Sequence, residues 1–308
     1  MTTPKHARDT DQGRYYTHPV TGEQLVSVTN ALGEAMSKPA LVPWAAKCTA
    51  EAAWRTLPRM VAAMRRTTDC RPTRPGPEWE QCGRCWHCLN REIKGEHKVV
   101  AERASNLGTR IHDLADAHLA GRPMPDDQEA APYLAQYEQF LADFGVDLIR
   151  DVVASELTVA DPGRGYAGTL DIILKLPLMY VDGRTSPADT RQAWLVDIKT
   201  SQTKPATAMY DEWPLQLVAL RSAREMWLPD GTVAPMVRGI AGTAVLNLRT
   251  TAYAFIPCPS GLKERKAWDA VLTTAHWRHS RPLEGTGPVD ATGRPITVRA
   301  KRTKKEAA

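Results

Sequence analysis

Between Phe144 and Asp151 the hydrophobic pattern of the chain changes from a helical repeat to strict alternation. Upstream, Leu107, Ile111, Leu114, Ala115 and His118 recur at helical spacing within residues 94–120, and Gly121 and Pro123 end the pattern. A second helix is predicted from about Pro132 to Phe144, with Leu134, Tyr137, Leu141 and Phe144 on one face and Pro132 in its first turn. Downstream, residues 151–159, 165–176 and 193–199 alternate with period two and read as strands, the first two joined by a turn at Pro162-Gly163. Residues 177–192 read as a loop or small hairpin. A helix from about Pro205 to Leu228 follows, then strands near 239–248 and 251–257. The last element is an amphipathic helix capped by Ser260 and carrying Trp268, Val271, Leu272 and Ala275. With no internal repeat, this order predicts one mixed α/β domain.

The segment before it is of another kind. Residues 1–14 read as a flexible arm, and Ser27 to Arg66 reads as helical with a break near Pro58. Residues 67–90 are rich in Pro, Gly and Cys and carry no period, so they need a staple other than an apolar core. Cys82, Cys85 and Cys88 are spaced by two residues each, with Cys70 upstream, which points to metal binding. Four thiolates suit a tetrahedral Zn²⁺ and equally an iron–sulfur (4Fe–4S) cluster. His87 and His97 are the substitute ligands.

Charge excludes a generally basic binder. The chain has 308 residues with 40 Lys+Arg against 35 Asp+Glu, a formal charge of +5. Arg294, Arg299, Lys301, Arg302, Lys304 and Lys305, opposed by Glu306 alone, carry that excess, so residues 1–290 are balanced. A basic tail over 281–308 is the expected contact for phosphates, with Arg65, Arg66, Arg71 and Arg74 near the cysteines. Trp277, flanked by His276, Arg278 and His279, is a candidate stacking platform for single-stranded bases. The absence of an 18-residue apolar run and the polar first residues predict no membrane span and no secretory signal, hence a cytoplasmic protein.

The chemistry concentrates on the alternating strands. In residues 193–199, Trp194, Val196 and Ile198 point one way and Leu195, Asp197 and Lys199 the other, which sets a carboxylate and an ammonium side by side. Asp171 sits in an apolar run, where a carboxylate is costly without a cation or metal, and Glu156 interrupts the strand before it. Tyr166, Gly168, Leu170, Ile172 and Leu174 are expected to share one face. Carboxylates on successive strands with one lysine suit Mg²⁺ or Mn²⁺. Gly108 stands four residues before His112, where it allows another backbone to approach the helix. Gln216 opens a helical segment after the Asp-x-Lys strand.

The ordered set His112, Glu156, Gly168-x-x-Asp171, Asp197-x-Lys199 and Gln216 resembles the RecB-like branch of the PD-(D/E)XK nucleases, close to CRISPR-associated and phage-encoded stand-alone exonucleases. Tyr16-Thr17-His18-Pro19 and Ser27-Val28-Thr29 share in the likeness, which covers roughly residues 15–280. The resemblance implies a restriction-endonuclease-like mixed β-sheet flanked by helices. The chain then reads as a helical N-terminal region (15–93) with the cysteine loop, a nuclease core (94–280) and the tail. It implies Asp171, Asp197, His112 and the Ile198 carbonyl as metal ligands, Lys199 as the catalytic lysine, and Gln216 as the glutamine of a glutamine–tyrosine motif. Ala219 or Leu220 stands where the tyrosine is expected. Glu156 is a carboxylate whose role varies in the family. The implied activity is DNA exonuclease, on single strands or duplex ends, with recombination or CRISPR-adaptation proteins as partners. An endonuclease, or a catalytically silent DNA-binding scaffold on the same fold, is the alternative.

Overall fold

The computed structural model describes residues 6–10, 13–65, 83–280 and 294. Residues 1–37 and 104–279 form one compact unit, and 38–103 belong to a second.

The larger unit is mixed α/β. Its strands are β1 (Ala7–Thr10), β2 (Gly13–Thr17), β3 (Gln24–Ser27), β4 (Val152–Asp161), β5 (Tyr166–Val181), β6 (Arg184–Thr200), β7 (Glu225–Trp227), β8 (Val233–Pro235), β9 (Ile240–Leu248) and β10 (Tyr253–Cys258). All ten belong to one sheet. The expected arm therefore contains β1, paired antiparallel to β2, and the core begins well before residue 94. These short strands carry too few residues to show a period. Their partner explains them: β3 pairs in parallel with β5 at Val26–Tyr166 and Ser27–Ala167, far away in the chain.

Strand β5 holds the sheet together. One edge pairs with β4 through residues 166–174. Its other edge pairs with β3 at 166–167 and with β6 from Ile172 to Val181. Between these two partners, residues 168–171 face the C-terminal ends of both β3 and β6. Strand β6 then pairs in parallel with β9. Residues 177–192, read as a loop or small hairpin, form a hairpin that continues β5 and β6 as a two-stranded ribbon turning at Asp182-Gly183, both with positive φ.

Helices cover both faces. On one side are α1 (Val28–Ala35), α6 (Glu212–Arg221) and α7 (Leu262–His279), with Leu32, Trp213, Leu217, Leu220, Trp268 and Leu272 packed on Leu170, Ile173 and Leu195. On the other are the C-terminal half of α3 (Trp86–Leu119), α4 (Ala131–Asp143) and the short α5 (Leu148–Asp151). There Ile111, Leu114, Tyr137 and Phe140 pack on Ile172, Leu174, Trp194, Val196 and Ile198. The helix expected to end at Leu228 stops at Arg221, because Glu225–Trp227 pairs with β4 as β7. Ser260 accepts Arg221 Nη1 at 2.7 Å, and the Glu264 carboxylate accepts the Gly261 N–H at 2.9 Å. No helix among the described residues is long and apolar enough to cross a membrane.

The smaller unit contains α2 (Leu41–Met64) and the N-terminal half of α3. Helix α2 runs through Pro58, and the break falls instead at 36–40, around Pro39. Arg59 donates to both Glu92 carboxylate oxygens and to the Gly83 carbonyl, and Arg55 pairs with Glu96, so the two helices run antiparallel. Cys48, Ala52 and Thr56 are buried along α2, as are Cys88, Leu89 and Ile93 along α3. These contacts start α3 at Trp86, eight residues earlier than its period announces.

Candidate metal centre

The fork in the sheet assembles the site. A cavity of about 600 Å³ opens there, lined by Arg14, Tyr16, Thr29, Gly108, His112, Glu156, Thr169, Asp171, Ile198, Lys199 and Thr200, among others. Gly108 lets α3 approach: a Cβ there would stand 3.3 Å from Thr200 Oγ1. Gly168 does the same for the opposite face, since its Cβ would meet Leu220 Cδ2 at 2.8 Å. Leu220 and Ala219 are fully buried, so the position of the expected tyrosine belongs to the apolar core.

Strand β5 changes face at the site. Tyr166 and Leu170 lie in the α6–α7 core, whereas Ile172 and Leu174 lie in the α3–α4 core, so the expected common face breaks at Asp171. Opposite it, Glu156 has φ +45° and makes no ladder pair, although Ser155 and Leu157 on either side pair in register with Ile172 and Leu170. This left-handed backbone is costly for a glutamate and is the kind of strain that gathers at functional sites.

His112, Glu156 and Asp171 each offer one ligand atom, and these atoms lie within 4.8 Å of one another. His112 Nδ1 is 3.5 Å from Asp171 Oδ1 and 3.7 Å from Glu156 Oε1. The Ile198 N–H donates to Asp171 Oδ2 at 2.6 Å, leaving Oδ1 toward the histidine. Ile198 was expected to act through its carbonyl; its observed contact is this N–H. Asp197 stands apart from the trio. Gln216 Nε2 donates to its Oδ1 at 2.8 Å, and Lys199 Nζ lies 2.6 Å from its Oδ2, close but poorly aligned for a hydrogen bond.

The charges are strongly coupled. Burial alone would lower the His112 imidazolium, but Asp171 and Glu156 outweigh it and raise it well above its ordinary value. Burial likewise opposes Lys199 and is outweighed by Asp197 and Asp171. Asp171 ends below the ordinary carboxylate value: against burial stand His112, Lys199 and the Ile198 N–H. Glu156 and Asp197 end above it, because burial, with Asp171 adding, prevails over their cations. Three carboxylates thus hold more negative charge than two cations offset. A nitrogen and two carboxylate oxygens around one point, with surplus negative charge, fit a hard divalent ion.

Sequence reasoning brought His112, Glu156, Asp171, Asp197, Lys199 and Gln216 to one place. It missed Arg14 and Thr169, and gave Thr29 of the Ser27-Val28-Thr29 likeness no role. Tyr16 was part of the resemblance without a role; its hydroxyl is 2.9 Å from Thr169 Oγ1 at the cavity wall. Arg14 reaches the site because β2 pairs through β3 into the sheet, which no local pattern announces.

Elsewhere, Cys85 and Cys88 are buried at the start of α3, while Cys70 and Cys82 lie outside the described residues. His97 is nine residues beyond Cys88 on the same helix, roughly 13 Å along its axis, too far for one tetrahedral ion. Of the tail cations only Arg294 is described, and it is exposed. At the expected stacking platform Trp277 is exposed, whereas His276 is 2.9 Å from the Arg164 carbonyl and His279 is held by Tyr15 and Glu34.

No protein-family model matches the chain, and no curated protein matches it significantly. The crystal structure of SSO0001 overlaps it at 14% identity with a TM-score of 0.26, covering 48% of this chain. The overlap spans 57% of that protein's length.

Proposed function

We propose that the chain is a metal-dependent deoxyribonuclease of restriction-endonuclease-like architecture, acting as an exonuclease on single-stranded or duplex DNA ends. The observation that carries this reading is the junction of His112, Glu156 and Asp171 with the Asp197–Lys199 pair at the C-terminal end of β6. Open α/β sheets take their ligands at strand ends where neighbouring strands diverge. His112, Glu156 and Asp171 would hold Mg²⁺ or Mn²⁺. Such an ion supplies countercharge to the scissile phosphate and acidifies a bound water. Lys199 offers an ammonium to the phosphate oxygens and to the attacking water. Asp197 holds that ammonium in place, and Gln216 fixes the carboxylate by occupying its other oxygen.

The cysteine segment is proposed as a separate staple, holding zinc or an iron–sulfur cluster. Cys85 and Cys88, buried and three residues apart, supply the described half of it. Absorbance near 400 nm (a rough value for iron–sulfur charge transfer) in the purified protein decides for iron–sulfur, and a colourless zinc-loaded protein decides against it.

Turnover of end-labelled single- and double-stranded DNA with Mn²⁺ tests the enzyme. Asp171→Asn and Lys199→Ala should each lower kcat by about a hundredfold or more while leaving the melting temperature within a few degrees. Full activity in Lys199→Ala would sink the mechanism. The buried Leu220 in place of a tyrosine favours the rival reading, a silent DNA-binding module, and binding without any metal-dependent cleavage would establish that reading instead.

A further inference from the structure

A second cavity, of about 580 Å³, lies away from the metal centre and is lined by Arg221, Ala223, Arg224, Pro235, Met236, Val237, Arg238, Gly239 and Ile240. Ile240 pairs with Ala193 at the start of the parallel β6–β9 ladder, whereas Asp197 and Lys199 pair with Val245 and Asn247 near its end. The two cavities are thus separated by most of a strand, about 20 Å.

Three arginines, Arg221, Arg224 and Arg238, line this cavity. Arg221 is half-buried at the end of α6, and its partners are all neutral. Nη2 donates to the Ile240 carbonyl at 2.6 Å, and Nη1 to Ser260 Oγ at 2.7 Å and, more weakly, to the Ser260 carbonyl at 3.5 Å. Burial first, and then the nearby Arg265, push this guanidinium below its ordinary value, with no carboxylate opposing them. Arg224 is 76% exposed on its side chain and lies 3.6 Å from Asp161 Oδ2. Arg238 is exposed between β8 and β9. Arg265 lies close enough to Arg221 to add a like charge. Arginines gathered around one open cavity favour an anion as its occupant. Guanidinium groups bind phosphate oxygens in a fork, and the walls between them are apolar: Pro235, Met236, Val237 and Ile240. A cavity of this volume, lined by both arginines and apolar side chains, suits a phosphate attached to a ring system.

We infer that this cavity binds the phosphoryl group of a nucleotide, either free or within a DNA strand. The inference is independent of the nuclease reading, because binding here requires neither the metal centre nor turnover.

Calorimetry on the full chain in the presence of a chelator tests it, with inorganic phosphate, thymidine monophosphate and a short 5′-phosphorylated oligonucleotide as probes. The Arg224→Ala/Arg238→Ala double variant removes two exposed side chains. It should weaken binding of thymidine monophosphate, of the oligonucleotide, or of both, by about tenfold or more. Arg238→Ala alone should show part of that loss. A loss seen with thymidine monophosphate marks a free nucleotide as ligand, and a loss seen with the oligonucleotide alone marks a strand. Equal affinity in the parent and both arginine variants, or binding of none of the probes, would overturn the inference.

Discussion

Glu156 shows what a single residue contributes at the fork. Its backbone is held in the left-handed region, its carboxylate is raised by burial and by Asp171, and it still points at His112. A carboxylate whose folded value is raised opposes folding once the pH exceeds its unfolded value, so at neutral pH its charge destabilises the protein. Glu156→Gln keeps the shape and removes the charge. In chelator the variant should therefore melt above the parent chain, by a shift equivalent to about 1 kcal/mol, while Mn²⁺-dependent cleavage falls about a hundredfold. A lower melting temperature would show that the contact with His112 dominates and that the strain is structural. The residue was visible in the sequence as a charge within a strand. Its special backbone was not, because φ at 156 depends on the opposing Asp171 and on the path of β5. Asp171 itself was legible for a simple reason: a lone carboxylate in an apolar run needs a cation.

At the scale of elements, alternation exposed β6 and the site's two-residue spacing, since one face of that strand is apolar and the other ends in Asp197 and Lys199. Short strands were hidden. Strands β1 to β3 have four or five residues each and gain their stability from pairing with one another and with β5, which no local pattern announces. The junction of α5 and β4 illustrates the same point with a charge. Asp151 is fully buried; its Oδ2 accepts the Asp147 N–H at 2.9 Å and Arg150 Nη2 at 2.7 Å, and its Oδ1 is 3.0 Å from Arg191 Nε. The Arg150 hydrogen bond, followed by smaller contributions against the opposing burial, lowers Asp151 to about 2. The lowered value means that its stabilisation is complete above an unfolded value near ~4 and is lost as pH falls toward about 2. Since Arg150 is largely exposed, the contribution is at most about 2 kcal/mol. Asp151→Asn should lower stability by that amount at pH ~7 and by almost nothing at pH ~2. Chemical denaturation at the two pH values measures the difference, and an equal loss at both would assign the effect to packing.

For the whole molecule the question is where affinity for a polyanion could come from. Residues 1–290 are electrically balanced, and the metal centre on its own carries surplus carboxylate charge that repels a phosphate backbone. The excess of +5 lies in residues 291–308, outside the described structure apart from Arg294. If DNA is the substrate, those six cations are the largest unbalanced source of counterion release in the chain. Deleting residues 291–308 should weaken DNA binding and flatten its dependence on salt. The slope of log K against log salt should fall by up to about 4 for single-stranded DNA and about 5 for duplex, if every cation meets a phosphate. Cleavage should persist at low salt, because the carboxylates, His112 and Lys199 are all retained. Binding measured by anisotropy across a salt series separates the possibilities. An unchanged slope would move the phosphate contacts onto the folded body, and the arginine-lined cavity beside α6 is then where substitutions should change it.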